Sequence, residues 1–523
     1  MDPFKDAVPD QERQFASMLR RLLNREKYDK TASLAIERVE KGFSLPEAAD
    51  ALLKVELANI LIDAGAEGRI ADAIYRGIEL YESNRKAIGQ FVAETSIEYN
   101  LGNAKSGLYG VTVDRSSPRV GLEELSLLTE AKNHYWRALK VSRSDFQEHE
   151  LMLHVNLGNA LRDAGRIVEA LQYYDEVLQE DPGFAKANGN RAWTLQRFST
   201  VAGVSTNLAL QVAEGYRKGA SGRKVPSWVS EQWIQNAKRV EETLRERNVE
   251  IPDLEEDRRR TEEEFTNHST YRQFSLRHFL SLSEHALYCS CAAAREDNLS
   301  VRTEALPMDA GFVPKMEHRL DRLKSEFSFA RLSFFQSLGQ NSKLFDVLDG
   351  EVEYTRSSDA GPVGLRAESL RMSFRTCFGI LDKIAVGICE LFNLPVEDGE
   401  NINFHQSLWK PNSPRWEALN TIERNSFHAA LYSQATDLSD KTDGEWAIYK
   451  KWRNVLEHGF LVLKETDEKP PGDLLESKMP VIAVPLGHFR SKTLHLLQLT
   501  RSAIFNFAYC ARVEGWKAQK GVR

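Results

Sequence analysis

Three polar side chains near the C-terminal end of the chain have the residue types needed for acid–base chemistry on a phosphate ester. Arg453 and His458 form the pattern R-x4-H, and Asn454 directly follows the arginine. An imidazole titrates near neutral pH and transfers protons, whereas a guanidinium stays charged and binds phosphate oxygens in a bidentate fork. Asn454 and His458 are four residues apart, so on a helix they share a face, where Asn454 is expected to orient His458 or the phosphate.

The spacing of apolar residues predicts that a helical bundle positions this motif. Helical periodicity extends over Met316–Leu338, Leu365–Leu394, Arg415–Tyr432, Glu445–Leu461 and Ser491–Val513. The short apolar run Met479–Pro485 is expected to form a strand-like return. Four or five antiparallel helices of this kind pack as a bundle, with the motif on a late helix.

The spacing within the motif favours a site that two copies of the chain share. Arg453 and His458 are five residues apart, which places them roughly 140° apart around a regular helix. One copy therefore aims both side chains poorly at a single phosphate, and a partner copy would supply a second set. Gly459 is expected to end the helix directly after His458.

The run from Trp452 to Phe460 in its helical setting resembles the HEPN superfamily, named for nucleotide-binding domains of higher eukaryotes and prokaryotes. The resemblance covers roughly Tyr271–Arg512. It implies a homodimeric, metal-independent endoribonuclease with Arg453, Asn454 and His458 as catalytic residues. In such an enzyme the RNA 2′-OH attacks the neighbouring phosphate and leaves a 2′,3′-cyclic phosphate and a 5′-OH. No cofactor is expected.

Two other interpretations of the motif remain open. In the first, the motif has no catalytic role and is only the solvent-exposed end of a helix. Glu457, four residues after Arg453, would then form an ion pair with Arg453. Alternatively, the HEPN fold is present and the motif is structural, as in noncatalytic members of that superfamily. The protein would then be an adaptor that dimerises through its helical bundle.

The N-terminal half contains internal repeats. Asn100–Ala104 recurs as Asn156–Ala160, and the clearest unit, Leu151–Phe184, resembles a tetratricopeptide repeat in length and pattern. Three to four such repeats predict a helical solenoid with a concave groove for a protein or peptide ligand. Asn103 and Asn159 are candidate groove residues, although asparagines at such positions more commonly form hydrogen bonds to the neighbouring repeat.

Together these patterns predict an all-α chain with a tetratricopeptide-like solenoid followed by a HEPN-type bundle. The predicted domains are the repeat array at 1–234, a charged helical linker at 235–270 and the bundle at 271–523. The chain has a net charge of −7, and residues 271–523 hold 32 basic and 32 acidic residues, so the N-terminal part carries the whole acidic excess. A global electrostatic attraction to nucleic acid is therefore not expected.

Weaker candidates lie elsewhere in the C-terminal half. Lys492 and Arg501 are candidate contacts to an RNA backbone, or else part of a solubilising face. His285, Cys289 and Cys291 have spacing typical of metal ligands. No second Cys or His pair lies nearby to complete four ligands, so no metal site is predicted.

Composition narrows the function classes further. No apolar run of about 18 residues is present, so a membrane span is not expected. The first residues lack the layout of a signal peptide and five cysteines do not suggest a disulfide framework, which favours the cytoplasm.

The leading hypothesis is an endoribonuclease regulated by its repeat array, in a toxin or antiviral-defence setting by family analogy. A transcriptional regulator is poorly supported, because no DNA-reading helix pair with a basic face is found.

Overall fold

The computed structural model describes residues 3–114, 117, 119–141, 147–222, 225–249, 254–306, 309, 311–339, 343–353, 363–465 and 481–521. The chain divides into two compact units, Met1–Ala164 and Gly165–Arg523. Nearly all regular structure in the described residues is helical, which confirms the predicted all-α class. Among these residues, no helix has both the length and the apolar character that a bilayer crossing requires.

The first unit is a series of helices in which sequence neighbours pack on one another. Its helices are α1 Pro3–Ala7, α2 Asp10–Asn24, α3 Tyr28–Glu40, α4 Glu47–Gly68, α5 Ala71–Ser83, α6 Arg85–Ile88, α7 Glu94–Thr112, α8 Ser126–Val141 and α9 Gln147–Asp163. Helix α4 is buried on most sides. Gly102 on α7 allows close packing of α8, because a Cβ atom there would lie 2.6 Å from the Tyr135 ring.

The second unit begins with four further helices and continues into the bundle. Its helices are α10 Ile167–Glu180, α11 Ala185–Ala202, α12 Thr206–Ala220, α13 Ser227–Glu246, α14 Leu254–Thr266, α15 Thr270–Arg277, α16 Val313–Ser337, α17 Lys343–Asp349, α18 Leu365–Leu391, α19 Pro414–Asn420, α20 Ser426–Asp437, α21 Ile448–His458 and α22 Leu486–Gln519. Short 3₁₀ turns lie at His285–Leu287, Ala292–Ala294 and Asp440–Thr442. Helix α18 packs against α16, α21 and α22, and α22 also contacts α16 and α20.

A buried ion network explains why α10 belongs to the second unit. Arg166, just before α10, donates to Asp437 of α20 and to Glu169, with an Arg166 Nε to Glu169 Oε2 distance of 2.8 Å. Glu169 also accepts hydrogen bonds from Gln434 at 2.8 Å and Ser502 at 2.9 Å. The observed division after Ala164 thus lies well before the boundary near residue 235 that the sequence suggested. Residues 250–253 of the predicted charged linker lie outside the described residues.

Two short strands flank the end of α21 and the start of α22. Strand β1, Phe460–Lys464, pairs in parallel with β2, Val481–Pro485, and Phe460 lies opposite Val481. The predicted strand-like return is found at β2, while Met479 and Pro480 lie outside the described residues. Strand β1 was predicted as the end of a helix that continued to Leu461. The separate expectation that Gly459 ends the helix directly after His458 is confirmed, since α21 ends at His458 and Gly459 is extended with φ −153°.

One predicted helix is two helices in the structure. The prediction Arg415–Tyr432 is wrong in its middle, because α19 ends at Asn420 and α20 begins at Ser426. Arg424 adopts a left-handed backbone with φ 53°, which a continuous helix excludes. Asn425 then caps α20, since its side chain accepts a hydrogen bond from the Phe427 N–H.

Candidate functional site

The amphipathic pattern of α21 fixes which of its side chains face outward. Tyr449, Trp452 and Val455 are buried on one face. The Tyr449 and Trp452 rings lie 5.6 and 6.0 Å from the ring of Phe374 on α18. Burying this apolar face leaves Asn454 and His458 on the opposite, exposed part of the helix, with Arg453 at its half-buried edge.

Arg453 is held against α18 by a carboxylate. Its Nη2 atom lies 3.6 Å from Asp382 Oδ2, and the two side chains are 33% and 24% exposed. The guanidinium carbon is 5.9 Å from the centre of the Phe378 ring. Burial raises the pKa of Asp382, although the Phe404 N–H at 2.9 Å from Oδ1 and the charge of Arg453 act in the opposite direction. Asp382 therefore positions Arg453 through a long, partly solvated ion pair.

Glu457 has a different partner from the one the sequence suggested. Its carboxylate accepts two hydrogen bonds from Arg375 of α18, at 3.0 and 2.9 Å. The hydrogen bonds from Arg375 are the main reason that the pKa of Glu457 is lowered, and Arg453 and His458 add smaller contributions. The interpretation of Arg453 as one half of an Arg453–Glu457 ion pair is therefore not what the structure shows.

His458 and Asn454 are exposed at the end of α21. Within the described part of the chain, neither side chain makes a hydrogen bond to a protein group, and none joins the two to each other. His458 is the last helical residue, and the N–H of Gly459 closes the helix on Val455 O. The imidazole is thus available for a ligand, while the proposed orienting role of Asn454 stays a prediction.

Helix α21 is continuous from Ile448 to His458, so the angle between its side chains follows regular geometry. Arg453 faces α18, and His458, five residues later, lies roughly 140° further around the axis. One copy of the chain therefore does not direct both side chains to the same side of the helix. This matches the expectation from the spacing alone.

One residue near the motif was missed by the sequence analysis. His405 is buried, and its pKa is lowered to about 4, mainly by burial and then by the charges of Lys450 and Arg453. It lines a cavity of about 320 Å³ together with Tyr432 and Lys441. His405 lies in the irregular segment between α18 and α19, where no helical periodicity could relate it to Arg453.

The predicted RNA contact at Arg501 is wrong. Its side chain is 2% exposed, and burial lowers its pKa to about 10. Arg501 Nε donates to Ser281 O at 2.7 Å, so the guanidinium supports the fold rather than a surface groove. Lys492 is half-buried with its ammonium 4.3 Å from the centre of the Trp446 ring, and its contact with RNA stays a prediction.

The two candidate groove asparagines make hydrogen bonds within the first unit. Asn103 Oδ1 accepts from Tyr135 on α8 and from Asn156 on α9, both at 2.9 Å. Asn159 Oδ1 accepts from Arg162 Nη1 at 3.2 Å. Asn103 thus has the bonds to neighbouring helices that the alternative role required. A groove ligand for either residue remains a prediction.

Comparison with known protein families supports a HEPN domain in the second unit. Residues 309–514 match the model of the family described as LA2681-like HEPN. The matched range contains α16, α18, α21 and most of α22, and therefore the whole R-x4-H motif. A search of curated proteins finds no match to this chain.

Proposed function

We propose that the protein is a metal-independent endoribonuclease of the HEPN type. The observation that carries this proposal is the end of α21, where an exposed imidazole without a described hydrogen-bond partner follows a guanidinium that a carboxylate positions. A HEPN family match over the same residues supports it. RNA is the proposed substrate.

The residue types fit cleavage by the RNA's own 2′-OH. His458 would exchange a proton with the attacking hydroxyl or the leaving 5′-oxygen, which is worth about 10²–10⁴-fold in rate. Arg453 would bind the phosphate and stabilise the charge that develops on its oxygens. Its 3.6 Å ion pair with Asp382 is weak enough for a phosphate to compete for its donors. The products are a 2′,3′-cyclic phosphate and a 5′-OH.

A site built from two copies resolves the divergence of the two side chains. We infer that Arg453 of one copy acts with His458 of a second copy in a homodimer. Phe460, two residues beyond His458, supports an adjacent interface because it is an aromatic side chain that is 65% exposed.

Regulation by the N-terminal helices belongs to the same proposal. A ribonuclease of low specificity damages its own cell, so the first unit would serve as sensor or inhibitor site by binding a protein or peptide. The toxin or antiviral-defence setting rests on analogy with architectures that join repeats to a HEPN domain.

Cleavage assays on the full chain test the activity. Purified protein is incubated with single-stranded RNA without added metal, with and without EDTA, beside His458→Ala, Arg453→Ala and Asp382→Asn variants. We expect His458→Ala and Arg453→Ala to reduce the rate by at least about 100-fold. Asp382→Asn is expected to reduce the rate about tenfold, because it weakens the ion pair that positions Arg453. His318→Ala on α16 and Arg239→Ala on α13, both exposed, are matched controls that should cleave normally.

Substrate and product analysis separates this chemistry from contamination. RNA with 2′-O-methyl groups should resist cleavage. The 3′ ends of the products should become extendable only after the cyclic phosphate is opened by acid and the resulting monoester is removed by a phosphatase. Equal cleavage by wild type and all variants would show a contaminating nuclease. Absence of cleavage under every activating condition would favour the noncatalytic adaptor.

Mixing variants tests the shared site. A heterodimer of Arg453→Ala and His458→Ala chains contains one site with both wild-type side chains and one with neither. Random exchange should therefore restore roughly a quarter of the wild-type rate from two inactive proteins. No restoration, with exchange confirmed by mass, would place Arg453 and His458 of the same copy in one site.

A further inference from the structure

Three potential metal ligands converge in the segment between α15 and α16, before the residues that the HEPN model matches. The ligand atoms of His285, Cys289 and Cys291 all lie within 4.8 Å of one another. His285 Nε2 is 3.0 Å from Cys291 Sγ. All three side chains are half-buried, so an ion from solvent has access to them.

The second nitrogen of the histidine has a partner of the kind that metal-binding histidines use. His285 Nδ1 lies 3.0 Å from the Tyr288 hydroxyl, which in turn lies 3.1 Å from Ser205 Oγ. In the tautomer with the proton on Nδ1, the Nδ1–H donates a hydrogen bond to the Tyr288 hydroxyl. Nε2 then has a free lone pair for a metal ion, on the side of the two sulfur atoms. Such outer contacts fix the tautomer and the ring orientation of a metal ligand.

The backbone around the cysteines is held in place by neighbouring side chains. Cys291 N–H donates to Cys289 Sγ at 3.4 Å, and Ala292 N–H donates to Glu264 of α14 at 2.7 Å. His268 Nε2 lies 3.1 and 3.2 Å from the carbonyl oxygens of Ser290 and Cys291. The three ligands are thus presented by a supported loop, which lowers the entropy lost when an ion binds.

We propose that His285 Nε2, Cys289 Sγ and Cys291 Sγ bind a zinc ion, with water or another small donor as the fourth ligand. Zinc favours tetrahedral sites of thiolate and imidazole, with Zn–S near 2.3 Å and Zn–N near 2.0–2.1 Å. A tetrahedron with these bond lengths separates its ligand atoms by about 3.6–3.8 Å. The 3.0 Å gap between His285 and Cys291 therefore has to open by only about 0.6 Å.

The proposed zinc ion would be structural and would stabilise this part of the second unit. It would join the turn at His285–Leu287 to the turn at Ala292–Ala294, and Glu264 connects the latter to α14. The zinc site and the ribonuclease proposal are independent, since neither uses the other's residues. EDTA would remove the structural zinc ion without acting on the R-x4-H motif. The cleavage assay therefore also needs samples without EDTA.

Metal analysis of the full chain tests the proposal. Protein purified under reducing conditions with zinc present should hold one zinc ion per chain by elemental analysis. His285→Ala, Cys289→Ser and Cys291→Ser should each lose most of it, whereas Cys377→Ser and Cys389→Ser, at thiols of α18, should retain it. Zinc content in those α18 variants as low as in Cys289→Ser would overturn the assignment.

Spectroscopy on the wild-type chain keeps the test decisive if a variant does not fold. Cobalt in place of zinc should give the visible bands of a tetrahedral site together with thiolate-to-cobalt charge transfer. X-ray absorption of the zinc protein should show two sulfur and two nitrogen or oxygen neighbours. A cobalt spectrum without thiolate bands, no bound metal, or a Cys289–Cys291 disulfide in freshly purified, reduced-buffer protein would each refute the site.

Discussion

Arg166 and Arg453 each face an aspartate, yet the two pairs lie in opposite environments. Arg166 and its partner Asp437 are 1% and 0% exposed. Arg453 and its partner Asp382 are about a third and a quarter exposed, and their closest atoms are 3.6 Å apart. The same residue types therefore serve a structural role in one place and remain available to a ligand in the other.

The two arginines differ in how many hydrogen-bond acceptors they contact. Arg166 donates to Asp437, Glu169 and Ser433 O, which uses both sides of its guanidinium fork. Burial lowers the pKa of Arg166, but the charges of Asp437 and Glu169 outweigh it and raise that pKa overall. A buried charge with this many partners cannot be released without a large penalty, whereas a half-exposed pair is worth at most about 1 kcal/mol.

The largest expected effect is the loss of the buried arginine. Arg166→Ala leaves Glu169 and Asp437 as buried carboxylates without their cation. The free energy of unfolding of the full chain should fall by about 3–5 kcal/mol in urea titrations. Arg453→Ala is the matched substitution and should cost no more than about 1 kcal/mol. Similar losses in the two variants would contradict the contrast between the two pairs.

A smaller effect is expected from pH, and it should come from a buried histidine. Burial lowers the pKa of His428 to about 4, against an ordinary value near 6.5. The unfolded chain therefore binds a proton that the folded chain excludes. The free energy of unfolding is therefore not reduced by His428 above about pH 6.5. As the pH falls from about 6.5 toward 4, protonation of the unfolded chain lowers the free energy of unfolding by up to about 1.4 kcal/mol per pH unit.

His428→Gln should reduce that pH dependence between pH 6 and 5, as measured by unfolding at several pH values. Ala429→Gly on the same helix is the control, since it weakens α20 by about 1 kcal/mol without changing the protons bound. It should shift stability equally at every pH. An unchanged slope in His428→Gln would show that His428 is not neutral in the folded protein.

The smallest effect is expected at the surface pair beside the motif. Glu457→Gln removes the charge that pairs with Arg375 and should change the free energy of unfolding by less than about 1 kcal/mol. Cleavage should stay within a few-fold of wild type, because Arg453 is positioned by Asp382 instead. A loss as large as that of Arg453→Ala would mean that Glu457 controls Arg453 after all.

Much of the bundle was predictable because its elements depend on local spacing. Apolar residues at helical intervals located α16, α18, α21 and α22, and the run before Pro485 located β2. Arg424 and Asn425 broke a predicted helix because periodicity does not detect a left-handed residue in a polar stretch. The burial of Arg501 was missed for a related reason. Helix α22 is covered on several sides, so a polar residue on it need not face water.

The sequence by itself determined the all-α class, the motif of Arg453, Asn454 and His458, and its position at the end of an amphipathic helix. These features depend on residues within about four positions of each other, which set helix periodicity and termination. Only the tertiary structure decided that Asp382 holds Arg453, that α10 joins the second unit, and that His285 meets two cysteines. Burial and ion pairing depend on groups brought together from distant parts of the chain, and local spacing carries no information about them.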